Sequence, residues 1–285
     1  MAYDGGTDPT LAELISRYWV PQVYSQEALV ATKSHLVCAN AFTHRFKKQL
    51  KRGHTVYIPV TANVSTTEVT PGTEPTAADA STTGVTIAID KWREATANIS
   101  PLMEVEELAD YLQAATVEIA YALDKHVDTT VGALFSTLNG SSVQGSDGQT
   151  FTDEIFRTLI QDMDENDVPD EGRFIIGDPS TKNDMLGIDK FVRQDYINGS
   201  PTSNGRFGQL YNATVYITNN LTAASTGNYG VYAHPDAIGV VIQMGPNMKY
   251  HDLSWKFKHQ ITGDIAYGAA ELRDGFGEAF YTRSS

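Results

Sequence analysis

Between Ser100 and Gly140, apolar residues recur at steps of three and four: Val105, Leu108, Leu112, Ala115, Ile119, Leu123, Val127, Val131, Leu134 and Leu138. That spacing sets them on one face of an α-helix. It persists for roughly ten turns, about 57 Å of helix. The ends are marked as well. Ser100 suits the N-cap, and Pro101 the first helical position, where a missing N–H costs nothing. Glu104, Glu106 and Glu107 lie near the positive end of the helix dipole. Asn139-Gly140 supplies a stop. The centre is rich in alanine, and no charge pattern flanks a strict seam, which argues against a coiled coil. Taken alone, such a helix fits the centre of any ordinary globular domain.

Two alternating stretches precede it. His54–Thr61 puts Val56, Ile58 and Val60 on one face, and Val85–Asp90 does the same with Val85, Ile87 and Ile89. Both predict half-buried strands. Pro59 cannot donate to a ladder, so its strand should be an edge or carry a bulge. The stretch between them, Asn63 to Gly84, is Thr, Ser, Ala and Pro with no large apolar run, and cannot form a core. The simplest geometry is a long two-stranded arm. An isolated hairpin is marginal in water, so this one needs a surface to lie on. Residues 1–40 open with an amphipathic segment (Leu11, Leu14, Ile15, Tyr18) stopped by Pro21, and are expected to pack as an arm.

After the helix, Ser141 to Thr150 is a Gly/Ser-rich hinge. Thr152 should cap a second helix with the stripe Ile155, Phe156, Leu159, Ile160 and Met163. Arg173–Gly177 predicts a short buried strand, and Asp178-Pro179 opens another helix through Met185 and Leu186. This alternation marks a small α/β subdomain. Residues 187–206 should form a surface loop. Strands are expected within 211–221, 230–238 and 239–244, and several short ones between Lys249 and Thr282. No fixed period repeats, which excludes a solenoid or propeller.

Composition narrows the function. The chain has 285 residues, 41% of them hydrophobic, enough for a sizeable core. A net charge of −14 speaks against a binder that works by neutralising phosphates. The single basic run, Arg45 to Arg52, fits an exposed or intersubunit face. With Cys38 as the only cysteine, no intrachain disulfide can form, which suits folding in a reducing cytoplasm. No apolar run approaches the roughly 18 residues that cross a bilayer, so no membrane partner is expected.

Candidate chemistry is thin. Phosphate-loop, zinc-protease and nucleophile-elbow motifs are absent. Gly275-Phe-Gly277 is a fragment of a dinucleotide fingerprint in the wrong context. Asp162, Asp164 and Asn166 have the alternate spacing of a calcium loop, but Asp167 replaces its glycine and Arg173 its bidentate glutamate. A solvated acidic helix end is the simpler reading. His234, His251 and His259, with Asp252 and Asp264, could be drawn together as ligands or an acid–base set, but they sit on separate strands. The expectation is no enzyme, no catalytic residue, no cofactor and no metal.

The order of features carries a resemblance. An amphipathic arm leads to Gly-x-Thr-Val-x-Ile-Pro at Gly53 to Pro59, a polar loop and a returning strand. A long helix ends near Asp-x-x-Val-Gly-Ala-Leu at Asp128 to Leu134. Then come GQLYNATVYITNNL at Gly208 to Leu221 and the turn Ala233-His-Pro-Asp-Ala-Ile-Gly239. Over essentially its whole length the chain resembles the major capsid protein of tailed bacteriophages, whose fold is shared by encapsulin shells.

The resemblance implies an α+β subunit that self-assembles into an icosahedral head around double-stranded DNA. Its parts would be an N-terminal arm and lead-in (1–54), an extended β-hairpin loop (55–94), a peripheral subdomain with a spine helix (95–145), an axial α/β subdomain (146–246) and C-terminal strands returning to the peripheral subdomain (247–285). It further implies pentamers and hexamers of one chain, a portal, possible decoration proteins, and non-specific contact with packaged DNA in a virion assembled in the host cytoplasm. Some relatives lock the shell covalently through a lysine of the extended loop. Thr61 to Val85 contains none, so a non-covalent shell is expected. Only about a hundred residues precede the spine helix, all taken by arm and loop, so scaffolding is expected to be a separate protein. An encapsulin-like nanocompartment shell is the alternative, and an unrecognised soluble hydrolase or sugar-binding protein a further one.

Overall fold

The computed structural model describes residues 36–48, 53–61, 66, 68, 72, 82–99, 111–188 and 209–283. Most of the N-terminal arm, the ribbon tip, the start of the long helix and nearly all of the 187–206 loop lie outside the described residues.

The chain runs through a one-turn helix α1 (Cys38–Ala41), β1 (Thr55–Thr61), β2 (Thr82–Ala88), β3 (Lys91–Ile99), the spine helix α2 (Tyr111–Ala133), β4 (Val143–Gln144), α3 (Asp153–Glu165) and β5 (Phe174–Gly177). It continues through α4 (Pro179–Gly187), β6 (Gln209–Leu210), β7 (Ala213–Ile217), β8 (Tyr229–Ala233), β9 (Ile238–Leu253), β10 (Lys258–Glu271) and β11 (Gly277–Tyr281). Among the described residues the strands make three sheets: a ribbon β1-β2, a three-stranded sheet β3-β10-β9, and a six-stranded sheet β4-β11-β8-β5-β7-β6.

The described part of α2 spans 23 residues, roughly 35 Å. Ile119, Leu123, Val127 and Val131 are buried at four-residue steps, the stripe read from the sequence. They lie on the three-stranded sheet with Ile99, Ile261, Ile265 and Tyr267. Regular α-helix gives way at Ala133, short of the expected stop. There the Leu134 N–H turns to the Val131 carbonyl at 3.0 Å, and the Thr137 hydroxyl donates to the Leu134 carbonyl at 2.8 Å. Such local bonds compete with the helical ladder. A 3-10 turn at Phe135–Thr137 follows, and the chain then stops as expected, with Asn139 (φ 51°) and Gly140 (φ 65°) in the left-handed region.

One core serves both larger sheets. Beyond Val131, Phe135 and Leu138 carry it onto Phe174, Ile176, Val231 and Ala233 of the six-stranded sheet. The other face of that sheet packs against α3 through Ile155, Phe156, Leu159 and Met163, which meet Ile175, Tyr232 and Phe280. All four residues of β5 are buried, as befits a central strand covered on both faces. Thr152 caps α3 by accepting from the Ile155 N–H, and Asp178 caps α4 by accepting from the Thr181 N–H at 2.8 Å, both as the sequence predicts.

Three elements differ from the sequence reading. Residues 91–99, where no strand was expected, form β3, with Ala95, Ala97 and Ile99 turned toward the helix. The stretch from Ile238 to Leu253 is one strand of 16 residues, hydrogen-bonded to the 14 residues of β10. The boundary expected at 246 therefore falls inside β9. Within the C-terminal stretch, β10 pairs with β3 and β9, whereas β11 enters the six-stranded sheet between β8 and β4. Phe280 accounts for that placement, because it fills the core beneath α3.

Two devices hold the parts together. Asp128, fully buried on α2, accepts from the Ala39 N–H at 2.9 Å and from the Asn220 side-chain amide at 3.2 Å. One carboxylate thus ties α1 and the loop after β7 to the spine. The ribbon root is fixed differently. Ile87 is buried against Val241, with Val56, Ile58 and Leu272 around them, and β2 ends where β10 has Gly268. A side chain there would collide with the Ala88 carbonyl oxygen.

Asp128→Ala strands two inward-facing donors and is expected to lower subunit stability by about 2–3 kcal/mol in urea unfolding. Gly268→Ala should cost about 1–3 kcal/mol by forcing the ribbon root off β10. Gly245→Ala, with open space around it, should stay within about 0.5 kcal/mol of the wild type.

Candidate assembly surfaces

The ribbon is a strict antiparallel pair, with Thr55 opposite Ala88 and Thr61 opposite Thr82. Val56, Ile58 and Val60 alternate with exposed neighbours, as read from the sequence. Pro59 pairs with Gly84 in a two-stranded sheet, where each strand has a free edge. Tyr57 is 60% exposed and lays its ring over Gly84, shielding backbone that has no side chain of its own. Beyond the Ile87 cluster the ribbon keeps one half-apolar face.

The turn joining β9 to β10 carries a second exposed surface. Trp255 is 73% exposed, Phe257 82% and Tyr250 52%. Phe257 adopts φ 49°, the left-handed region a bulky residue seldom occupies, as it closes the turn after Ser254–Lys256. The Lys256 ammonium sits 4.3 Å from the Trp255 ring centre, and Tyr250 stacks on His259 at 5.3 Å. Lys249, Lys256 and Lys258 gather here with His251 and His259, in a chain whose net charge is −14. Clustered exposed aromatics at the end of a long hairpin are the kind of patch that marks a contact site. The sequence signal was Trp-Lys-Phe-Lys at 255–258. It lacks the glycine or proline that usually announces a turn, and so passes for strand.

The residues singled out for chemistry do not converge. His234 lies in the turn after β8, where its Nδ1 accepts from the Asp236 N–H at 3.2 Å and its ring meets Phe276 edge-on. Burial pushes its pKa down. His251 and His259 sit at the far hairpin, where His259 approaches Asp252 at 3.5 Å. Asp264 instead accepts from the Trp92 indole N–H at 3.3 Å and faces Lys249 at 3.8 Å. The calcium-like turn is organised by its own cation. Arg173, 2% exposed in its side chain, pairs with Asp164 at 2.7 Å and donates to the Val168 and Pro169 carbonyls. Asp162 points elsewhere and accepts from Gln144 at 2.9 Å. Among the described residues no cluster could hold a metal ion. Of the basic run, Arg45 pairs with Asp236 at 2.7 Å, and residues 49–52 lie outside the described residues.

Buried polar groups are spent on joints. Burial opposes ionisation of Asp178, yet bonds from the Thr181 N–H and the Ser180, Thr181 and Thr282 hydroxyls hold its carboxyl below the usual range. Asn228 adds a fifth donor at 3.2 Å. Cys38 is buried beside Asp128, and both burial and that carboxylate push its thiol pKa up, which leaves it unreactive. His126 on α2 meets the Tyr267 hydroxyl at 2.5 Å, with the Thr130 hydroxyl 2.7 Å from the same oxygen. This knot fixes helix to sheet.

No curated protein sequence matches the chain. Solved structures do. A structure of Mycobacterium phage Che8 superposes with a TM-score of 0.82 at 19% identity, covering 94% of this chain and 99% of the other. The capsid structure of cyanophage P-SCSP1u gives 0.74 at 18% identity, with 94% of each chain covered. The mature capsid of bacteriophage PhiM1 gives 0.70 at 12% identity, covering 93% and 92%. The architecture is thus the α+β fold of tailed-phage major capsid proteins. Residues 102–271, more than half of the chain, match the family model described as phage capsid protein, and the chain belongs to the phage capsid protein family.

Proposed function

We propose that this chain is the major capsid protein of a tailed phage, a structural subunit without catalysis whose copies close into the icosahedral head around double-stranded DNA. The observation that carries the reading is the pair of protruding surfaces on a subunit of this family. Tyr57 on the ribbon and Tyr250, Trp255 and Phe257 at the hairpin tip present aromatic area that a lone copy leaves wet. Stable interfaces bury roughly 800 Å² per partner, and compact bodies touching edge to edge offer less. Closed symmetry lets one sequence repeat such contacts in pentamers and hexamers.

In this reading the part of residues 146–246 that precedes β9 gathers near the symmetry axes, and the spine helix with the three-stranded sheet, β9 included, forms the periphery. The ribbon and the N-terminal arm lie across neighbours. The shell is held without covalent cross-links, since Thr61 to Val85 has no lysine. Scaffolding, portal and decoration proteins are separate partners. Packaged DNA touches the inner wall non-specifically, in keeping with the acidic balance, and assembly takes place in the host cytoplasm. Membership of the phage capsid family favours this over a nanocompartment shell and over a hydrolase.

Electron microscopy of the purified, expressed chain should show rings, sheets or closed particles. A uniform population of monomers at high concentration would count against a coat protein. Removing residues 65–82 should leave a folded, soluble subunit with impaired assembly. If that deletion unfolds the subunit, the ribbon belongs to the core. Trp255→Ser with Phe257→Ser should leave the melting temperature of the dissociated subunit within a few degrees and reduce the particle fraction on sedimentation. Unchanged assembly would remove the hairpin tip from the contact surface.

A further inference from the structure

Glu278, in β11, is 1% exposed, yet among the described residues no cation pairs with it. Its Oε1 accepts from the Gln144 side-chain amide at 2.7 Å. That same nitrogen donates at 2.9 Å to Oδ2 of Asp162 on α3. Two carboxyl groups therefore share one amide. The other oxygen of Glu278 is buried without a hydrogen-bond partner of good geometry.

The surroundings do not neutralise the pair. Asp162 is the titratable group that faces Glu278 from α3, Gln144 is its contact on β4, and Asn139 reaches it from the turn that ends the spine. From β8 the residue directly opposite is Tyr232. Its hydroxyl is engaged by Arg173, which is itself paired with Asp164 and Asp170. On the connector before β11, Asp274 accepts from the Gly140 N–H. Burial first, and then the Asp162 carboxylate, push the Glu278 carboxyl up to about 7.

The position matters because β4 is the first chain of the six-stranded sheet after the spine helix. It holds that sheet through two residues only, Val143 opposite Ala279 and Gln144 opposite Phe280. The Gln144 side chain is its remaining polar anchor.

We propose that Gln144, Asp162 and Glu278 form a proton-operated latch between the end of the spine helix and the six-stranded sheet, closed when the two carboxyls hold one proton and loosened when that proton leaves. In the closed form the Glu278 hydroxyl donates to the neighbouring carboxylate, and Gln144 donates to both groups. Loss of the proton to solvent leaves two negative charges beside one amide, with the Glu278 carboxylate cut off from water, and the strain is relieved by releasing β4. The sign follows from linkage. The closed state binds the proton more tightly than an opened or unfolded one, in which Glu278 returns to its ordinary range. Closure is therefore favoured on the acid side and lost as pH rises through about 7. A carboxylate held below its usual range by hydrogen-bond donors, such as Asp178, runs the other way.

Amide hydrogen exchange of residues 138–145 in the full-length purified chain tests the latch. After correction for the intrinsic pH dependence of exchange, opening should rise about tenfold between about pH 6 and about pH 8. Glu278→Gln, which keeps a donor and an acceptor and cannot titrate, should remove the pH dependence and hold the protection of the acid form at both values. An identical pH dependence in wild type and Glu278→Gln overturns the proposal. Should that variant fail to fold, Asp162→Asn tests the same idea, since removing the neighbouring charge should shrink the pH dependence. Infrared spectroscopy of the wild type adds a direct readout. A protonated carboxyl band is expected near pH 6 and should fade toward pH 8, and its absence at the lower pH overturns the latch.

Discussion

Everything in this subunit rests on one buried stripe, the face of the spine helix that carries Ile119, Leu123, Val127 and Val131. Each such side chain contributes roughly 1.5–3 kcal/mol on leaving water. The stripe does more than stabilise a helix on a sheet. It runs on through Phe135 and Leu138 into the six-stranded sheet, so that two sheets share one apolar interior. The parts cannot separate without exposing that interior. Relative adjustment between them is left to the edges, where β4 hangs on two backbone pairs and one side chain. A continuous core with a polar latch at its margin keeps the body rigid and confines any give to one short strand.

The glycines and buried carboxylates follow from the same constraint. Because the helix lies close to the sheet, β10 has Gly263 beneath Ile119 and Leu123, and β3 offers alanines. Because the ribbon root crosses β10 at backbone distance, Gly268 stands under Ala88. Where chain segments meet the spine without apolar surface to offer, Asp128 takes their donors. Asp128 and Val131 thus read as chemistry, an acceptor and a core residue within one turn of the helix.

Much of this was legible in the sequence. Steps of three and four named the buried face of the spine, Thr152 and Asp178 named two caps, and the alternation at 54–61 named the ribbon. What escaped notice did so for physical reasons. In β3 the inward residues are Ala95 and Ala97, small because a helix packs close above them, so the alternation carried almost no hydrophobic contrast. The outer half of β9, from Gly245 to His251, is exposed along most of its length and has no buried face to impose a period. Its long pairing with β10 is backbone bonding, which side-chain pattern does not record. The Gln144–Asp162–Glu278 cluster joins residues separated by up to 134 positions, and each of the three alone reads as an ordinary surface residue.

On the capsid reading, the distribution of charge completes the logic of the fold. Copies of a chain carrying −14 repel one another when they approach, and that repulsion is felt over roughly 8–10 Å at physiological salt. The hairpin tip reverses the sign locally, with Lys256 on Trp255 and Lys258 next to Phe257. Contact made through that tip therefore brings a cationic, aromatic end against an acidic neighbour. Hydrophobic burial and Coulomb attraction then act at the same spot, while the rest of the surface keeps stray encounters apart. Aromatic residues at the contact and carboxylates around it favour one geometry of approach over the many that indiscriminate stickiness would allow.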